Sequence, residues 1–451
     1  GTGEKRKMLE KSKTYEKSAP RVYIRTFGCQ MNVRDSEFVA GILIDNGFTM
    51  VKSADSADVI LFNSCSVRKH AEERVFGNIG QLKHLKRKRP ELVIGLIGCT
   101  AQAYKEKAIE RSPLIDIVCG TGDEAGLPRL IKDLLKHRRR IVAVDKIGRP
   151  KPELFPKFRD GKIKATVSIG EGCDNFCSYC IVPYVRGRER SRDAKNIIKE
   201  VKSLAGRGFK EILLLGQNVN SYRAGRGKDF IAILEDLNKI KGIERIRFMT
   251  SHPKDAHAEL FKAMRGLDKV CEHLHLPIQS GSDRILKLMN RGYTSGKYLK
   301  LVEDYRRIVP GGSITTDIIV GFPTESERDF KKTCALLEKV GFDSAYTFKY
   351  SPRPPAKSSV LEDDVSSGVK EERLRSVMEL QRKISAGRSE KVVGTLVEVL
   401  VEGPGRKPGD LAGRTRSNKN VSFEGKKGLI GKTVRVEIVS AEPYALKGRL
   451  A

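Results

Sequence analysis

Between residues 21 and 350 the chain repeats one pattern: a short apolar run, a segment of helical periodicity, then another apolar run. Strands that are apolar on both faces need cover on both. When a helix intervenes before the next strand, the two strands pair in parallel, so the pattern predicts parallel sheets flanked by helices rather than hairpins. The first four strands are expected at 21–27, 58–63, 92–98 and 115–119, with a helix running from Asp35 to Gly47. Three of the four end within two residues of Cys29, Cys65 and Cys99. Ligand sites in open parallel sheets lie beyond the carboxyl ends of the strands, so these cysteines can converge on a shared metal or cluster. A single buried cysteine at a strand end is usually structural; the threefold repetition points further.

A Pro-rich joint at 148–156 separates this unit from a second run of alternation, with strands at 164–170, 211–216, 245–250, 272–276, 313–320 and 345–350. Six such units predict a partial or full β/α barrel, closed by a helix over 371–389. The last sixty residues change character: short strands at 394–401, 411–415, 420–423 and 433–441, broken by Gly and Pro, read as a small closed β domain. The fold class is therefore α/β. An N-terminal open parallel α/β domain (20–137) precedes a central β/α barrel (159–388) and a C-terminal small β-barrel (389–451). Loops of the last domain carry Arg406, Lys407, Arg414, Arg416, Lys419 and Lys426. We read it as an RNA-binding barrel, with Arg414 and Arg416 in its tightest turn as phosphate contacts; a purely structural cap is the alternative.

The charge balance agrees with a polyanionic partner. Lys and Arg total 86 against 56 Asp and Glu, a formal charge of +30. Such an excess is costly in self-repulsion unless an anion meets it. Nucleic acid ranks ahead of an acidic membrane surface, because no basic amphipathic anchor helix is evident. The runs 83–90 and 136–140 also read simply as solvated helix faces. No apolar run approaches the roughly 20 residues that span a bilayer. The charged first nineteen residues lack the apolar segment of a secretory signal, so a cytoplasmic location is expected. Gly1 in place of Met reads as a processed start or expression remnant, and this segment is left out of the fold argument. Nine cysteines in such a chain favour metal ligation over a disulfide framework.

The stretch Gly172-Cys173-Asp174-Asn175-Phe176-Cys177-Ser178-Tyr179-Cys180 follows the first barrel strand. A structural zinc site needs four ligands. Three thiolates on a tight loop, with no fourth nearby, suit three irons of a four-iron, four-sulfur cluster whose fourth iron stays open; a zinc knuckle or redox thiol group is the alternative. Polar segments at 216–220, 275–282 and 316–325 end later barrel strands on the face where such folds carry function, although amides there also cap helices.

The CxxxCxxC spacing, the Gly-rich loop and the aromatic residue before the last cysteine resemble the radical S-adenosylmethionine superfamily. Further matches narrow the likeness: Gly28-Cys29-Gln30-Met31-Asn32, Asn63-Ser64-Cys65-Ser66-Val67-Arg68, Gly98-Cys99, the stretch 182–192, and Val401-Glu402-Gly403-Pro404 leading to Gly413-Arg414-Thr415. Together they resemble the methylthiotransferases with their TRAM domain, over residues 20–451. The resemblance implies two 4Fe-4S clusters, one on Cys173, Cys177 and Cys180 and an auxiliary, sulfur-bearing one on Cys29, Cys65 and Cys99. It also implies S-adenosyl-L-methionine as cosubstrate, with Tyr179, Gln217, Asn218, Gln279, Ser280 and Asp317 as candidate cofactor contacts. The GCQMN form is similar to the branch that modifies isopentenyl-adenosine beside the anticodon. Branches acting on threonylcarbamoyl-adenosine or a ribosomal protein are alternatives; so, in another class, is a non-catalytic iron–sulfur RNA-binding protein. The implied partners are a tRNA anticodon stem-loop, a reductant such as a flavodoxin and a sulfur donor; the chain is expected to act as a monomer, without a membrane. Cys119, Cys271 and Cys334 match neither trio and read as buried apolar residues.

Overall fold

The computed structural model describes residues 19–67, 69–144 and 156–451. All of the Pro-rich joint except Pro156 lies outside these residues, as does Arg68. The chain forms two compact units, one built on residues 19–28, 35–144 and 156–158, the other on 29–34 and 159–451.

In the first unit, β1 (Arg21–Phe27), β2 (Thr49–Met50), β3 (Val59–Ser64), β4 (Val93–Ile97), β5 (Ile117–Cys119) and β6 (Ile141–Ala143) form one sheet in the order β2-β1-β3-β4-β5-β6. Every pairing is parallel. β3 and β4 are buried along their whole length, as central strands covered on both faces must be. The edge strands β2 and β6, of two and three residues, are too short to leave a sequence pattern. The helix expected from Asp35 starts earlier, at Gln30, so it follows Cys29 directly.

The second unit carries the barrel and the C-terminal domain. β7 (Lys164–Ser168) leads into a short ribbon of β8 (Gly170–Glu171) with β9 (Arg190–Ser191). β10 (Glu211–Leu215) follows, then a second ribbon of β11 (Arg223–Ala224) with β12 (Lys228–Asp229), then β13 (Arg245–Met249), β14 (His273–His275), β15 (Ser313–Val320) and β16 (Ser344–Lys349). Two parallel sheets, β13-β10-β7 and β14-β15-β16, are joined by the single parallel bridge between Ile246 and Val270. Among the described residues no pairing joins β7 to β16, so this is a partial barrel of six strands. Its outer apolar faces pack under the helices as one core, with Val167, Ile212, Ile246, Leu274, Ile314 and Ile318 all buried.

The helix Ser367–Glu390 lies against β16 with small and polar residues: Gln381 donates to the Phe342 carbonyl at 2.9 Å and Ser385 to that of Asp343 at 2.9 Å. It runs into a closed barrel of β17 (Leu396–Pro404), β18 (Asp410–Thr415), β19 (Asn420–Glu424), β20 (Thr433–Glu442) and β21 (Ala445–Leu450), in the order β17-β18-β19-β21-β20. β21 was not expected from the sequence. Its only core residue is Leu446, so it shows no alternation long enough to read.

The turn after β18 holds Arg414 and Arg416 in contacts within the protein. Arg245 donates to the Arg414 carbonyl at 2.6 Å, Arg247 to the carbonyls of Thr415 and Arg416 at 2.7 Å each, and Ser313 to that of Ser417 at 2.7 Å. The Arg416 guanidinium forms a fork on Glu272, with both bonds at 2.8 Å, and also reaches the Val270 carbonyl at 2.7 Å. Arg414 faces Glu402 at 3.4 Å and donates to Asn418 at 3.1 Å. Arg245, Glu272 and Ser313 stand at the starts of their strands, so the turn docks on the amino ends of the barrel. Both arginines are engaged within the protein. No helix among the described residues is long and apolar enough to cross a membrane.

Candidate active site

The three-cysteine loop leaves β8 at the carboxyl end of the barrel. Gly172 has φ +78°, and a Cβ there would lie 2.1 Å from the Arg188 carbonyl oxygen, so only glycine fits. Phe176 also takes a positive φ, 44°. The loop is pinned from one side by the end of the helix Asp283–Leu288. Ser178 donates its backbone N–H to Met289 at 3.0 Å and its hydroxyl to Leu288 at 2.8 Å, while Asn290 caps the Asn175 and Phe176 carbonyls at 3.2 and 3.0 Å. A Lys254–Asn175 bond of 2.7 Å and an Arg188–Asp174 pair of 2.7 Å hold the other side.

Cys173 and Cys177 are buried and Cys180 partly so. Burial pushes the Cys180 thiol up to about 12, and the neighbouring Cys177 and Cys173 sulfurs add to it. Burial likewise raises Cys173, with Cys177 contributing. The three sulfurs therefore share one electrostatic environment. A coordinated cation reverses this preference and makes each a thiolate. Among the described residues no three His, Cys, Asp or Glu side chains close on one metal ion; a cubane instead takes one thiolate per iron.

Beside the loop, Gly170, Gly172, Gly216, Gln217, Asn218 and Glu189 line a small cavity. Gln217 Oε1 and Asn218 Oδ1 are buried there without a protein partner. Two unmatched acceptors suit a ligand rich in N–H donors, such as the ammonium of an amino acid, so these residues fit the amino group of S-adenosylmethionine. The amide of Asn218 is fixed by Asp255 at 2.7 Å.

The other candidates divide. Gln279 is buried at φ +71° and sits in register with Ile318, its N–H donating to the Asp317 carbonyl at 2.9 Å. Asp317 faces His275 at 3.4 Å across the β14–β15 pair, and Thr315 joins the same histidine at 2.9 Å. The Ser280 hydroxyl is taken by the Ser282 N–H at 3.2 Å and by Thr333 at 3.4 Å. It therefore secures the loop onto the helix Glu327–Val340. Tyr179 is packed with Ile285, Met289, Phe322 and Tyr350, and burial drives its phenol well above the usual range.

Sequence reasoning missed Arg291 and His252. Arg291 is buried and donates to Cys177 Sγ at 3.3 Å. His252 is buried, accepts from the Lys254 N–H at 3.1 Å and leaves Nε2 without a partner; burial and the cations Arg291 and Lys254 hold it down to about 2, hence neutral. No sequence signal distinguishes either from a solvated residue.

In the first unit, Cys65 directly follows β3 and Cys99 opens the helix Cys99–Tyr104 after β4. Gly98, at φ +82°, lets that helix start against Asn63, whose Oδ1 a Cβ would meet at 2.3 Å. Cys65 Sγ accepts from the Val67 N–H at 3.4 Å. In the second unit, Cys29 lies within 3.2 Å of Asn32 Oδ1. Cys119 and Cys271 are buried as expected, whereas Cys334 is partly exposed on the helix Glu327–Val340.

Comparison with known proteins agrees with this division. Residues 21–120 match the uncharacterized protein family UPF0004, 167–337 the radical SAM superfamily and 390–451 the TRAM domain. The solved structure of the radical S-adenosylmethionine methyltransferase TsrM from Kitasatospora setae shares the fold, with a TM-score of 0.55 over 76% of this chain and 75% of that one at 12% identity. The apo structure of the cobalamin-dependent radical enzyme OxsB superposes with a TM-score of 0.52 over 81% of this chain and 56% of that one at 14% identity. The fold and its cysteine loop thus define a radical S-adenosylmethionine enzyme. Over 95% of its length the chain is 49% identical to the tRNA-2-methylthio-N(6)-dimethylallyladenosine synthase of Moorella thermoacetica, covering 97% of that protein. It is 47% identical to the Clostridium novyi synthase, again over 95% of this chain and covering 96% of that protein. The chain belongs to the tRNA-2-methylthio-N(6)-dimethylallyladenosine synthase family.

Proposed function

We propose that this chain inserts a methylthio group at C2 of N6-isopentenyladenosine beside the anticodon of tRNA, with Cys173, Cys177 and Cys180 holding one 4Fe-4S cluster and Cys29, Cys65 and Cys99 a second. The observation that carries the reading is the identity to the synthases along 95% of the chain, joined to a glycine-dependent loop of three cysteines at the carboxyl end of the partial barrel. The C2–H bond is far too weak an acid for a side-chain base near neutral pH. The clusters and S-adenosylmethionine supply, when bound, the one-electron chemistry that replaces this hydrogen with the methylthio group.

The chain's own residues do the holding. Gln217 and Asn218 accept from the cosubstrate's amino group. Gly170, Gly172 and Gly216 leave room for it beside the loop. His252, neutral, keeps an N–H free for an acceptor. Asp317, paired to His275, presents a polar edge inside the barrel. Exposed cations of the protein meet the tRNA phosphates. The full reaction also requires a low-potential reductant such as a flavodoxin and a sulfur donor, and the enzyme works as a monomer in the cytoplasm. The test is mass spectrometry of nucleosides from isopentenylated tRNA incubated with the reconstituted enzyme, S-adenosylmethionine, a sulfide source and a reductant. A methylthio-isopentenyladenosine peak is expected. Its absence, with a methylthio product on threonylcarbamoyl-adenosine instead, would move the chain to another branch.

A further inference from the structure

Arg291 follows the helix Asp283–Leu288 and is only 5% exposed. Its guanidinium donates to Cys177 Sγ at 3.3 Å, to the Pro277 carbonyl at 2.9 Å, to the Tyr293 hydroxyl at 2.8 Å and to that of Tyr179 at 3.4 Å. Among the described residues no carboxylate lies within ion-pair distance of it. Other buried arginines of the same unit are built differently. Arg159 and Arg192 share Glu200 at 2.6 and 2.9 Å, Arg247 meets Glu211 at 3.0 Å, Arg245 meets Glu398 at 2.8 Å and Arg373 faces Glu325 at 3.6 Å. A buried cation without a counter-charge is strongly disfavoured, so the anion that Arg291 answers must come from its sulfur side. Two phenols and a carbonyl orient the guanidinium but cannot neutralise it.

We propose that Arg291 is the counter-charge of the cluster held by Cys173, Cys177 and Cys180 and raises that cluster's reduction potential, an inference that rests on the reading of those three cysteines given above. A cubane core bound by three thiolates carries net negative charge, and one more negative charge after it accepts an electron from a low-potential one-electron donor. A fixed cation and an N–H donor at a ligand sulfur both favour the more negative form. No bond is made or broken at Arg291, and its proton stays in place. By holding the Pro277 carbonyl as well, it ties the cluster loop to the end of β14. It is a positioning residue, acting through Cys177.

The test is an EPR-monitored redox titration of the full chain in a Cys29/Cys65/Cys99→Ala background, so that a single cluster titrates. Arg291→Met and Arg291→Gln should keep their iron but shift the reduction equilibrium against the reduced form by roughly tenfold or more, a fall of ~59 mV in a one-electron midpoint. Arg291→Lys, which keeps the charge, should recover most of it. Neutral variants with full iron and the parent's midpoint would overturn the proposal. If both neutral variants lose their iron, the lysine variant decides: a midpoint near the parent's supports the counter-charge, and one lowered by ~59 mV or more refutes it. A parent that binds no iron at this loop would instead overturn the cysteine assignment, and with it the proposal.

Discussion

Arg416 lends itself to a quantitative test, because it forms a fork on Glu272 where its position in a basic turn suggests a phosphate contact. Both side chains are about a quarter exposed, 24% for Arg416 and 26% for Glu272. A fully exposed pair contributes roughly 0.2–1 kcal/mol, whereas breaking a buried one costs about 3–5 kcal/mol. This pair lies between those limits, is bidentate, and is joined by the bond to the Val270 carbonyl, so Arg416→Gln should destabilise the second unit by about 2–3 kcal/mol. At roughly 2 °C per kcal/mol for a unit of this size, the midpoint of thermal unfolding should fall by about 4–6 °C. Glu272→Gln should cost a similar amount, and the double variant less than the sum by about 1–2 kcal/mol, because one lost partner makes the other dispensable. Circular dichroism melts of the four proteins measure this. tRNA affinity, titrated against salt, should keep its slope. An unchanged melting midpoint together with a slope reduced by about one in the Arg416 variant would restore a phosphate contact and refute the docking argument.

Three further outcomes follow from the site. Gly172→Ala should strip iron from the three-cysteine loop, because its Cβ would sit 2.1 Å from the Arg188 carbonyl oxygen at a φ of +78°; wild-type iron content and melting midpoint in that variant would contradict the loop geometry. Cys29/Cys65/Cys99→Ala should reduce iron from about eight to about four per chain and stop methylthiolation while deoxyadenosine still forms; continued methylthio-nucleoside production would remove those cysteines from the sulfur-bearing site. Asp329 accepts from Arg284 at 2.6 Å, from Ser282 at 2.6 Å and from Ser326, and although burial opposes ionisation, these bonds hold its carboxyl well below the usual range. Its contribution is present above the unfolded pKa of about 3.9 and lost as pH falls below that value. Asp329→Asn should therefore lower stability at pH 7, with the gap to wild type closing in acid; a constant gap from pH 7 to pH 3 would contradict the assignment.

What the sequence revealed depended on the range of the interactions. The parallel sheets were readable because each strand is encoded locally, by an apolar run followed within a few residues by glycine or cysteine. Strands of two or three residues, such as β2 and β6, hold too few positions to show any period. The bonds of the Ser280 hydroxyl were not readable because a polar strand end looks the same whether it faces a ligand or a neighbouring helix. The pairing of Arg416 was hidden for a longer-range reason: Glu272 stands 144 positions away, and nothing in a basic turn announces a distant carboxylate. Arg291 was invisible on both counts, with the sulfur it donates to 114 positions away.

The same reasoning changes what the +30 charge implies. Net charge counts every arginine equally, yet Arg159, Arg192, Arg245, Arg247, Arg373 and Arg416 are paired to carboxylates inside the second unit. Each carboxylate so paired cancels one cation, with Glu200 shared by Arg159 and Arg192, so internal pairing leaves the formal excess intact while changing where it resides. The surplus must then sit on residues without internal partners. Lys83, Arg87 and Lys88, exposed on the helix Lys83–Lys88, are among them, whereas Lys86 of the same helix pairs with Asp116. The turn after β18 seats the C-terminal barrel on the amino ends of the barrel strands, and under the proposed function the attraction for tRNA is expected to be spread over exposed lysines and arginines of both units.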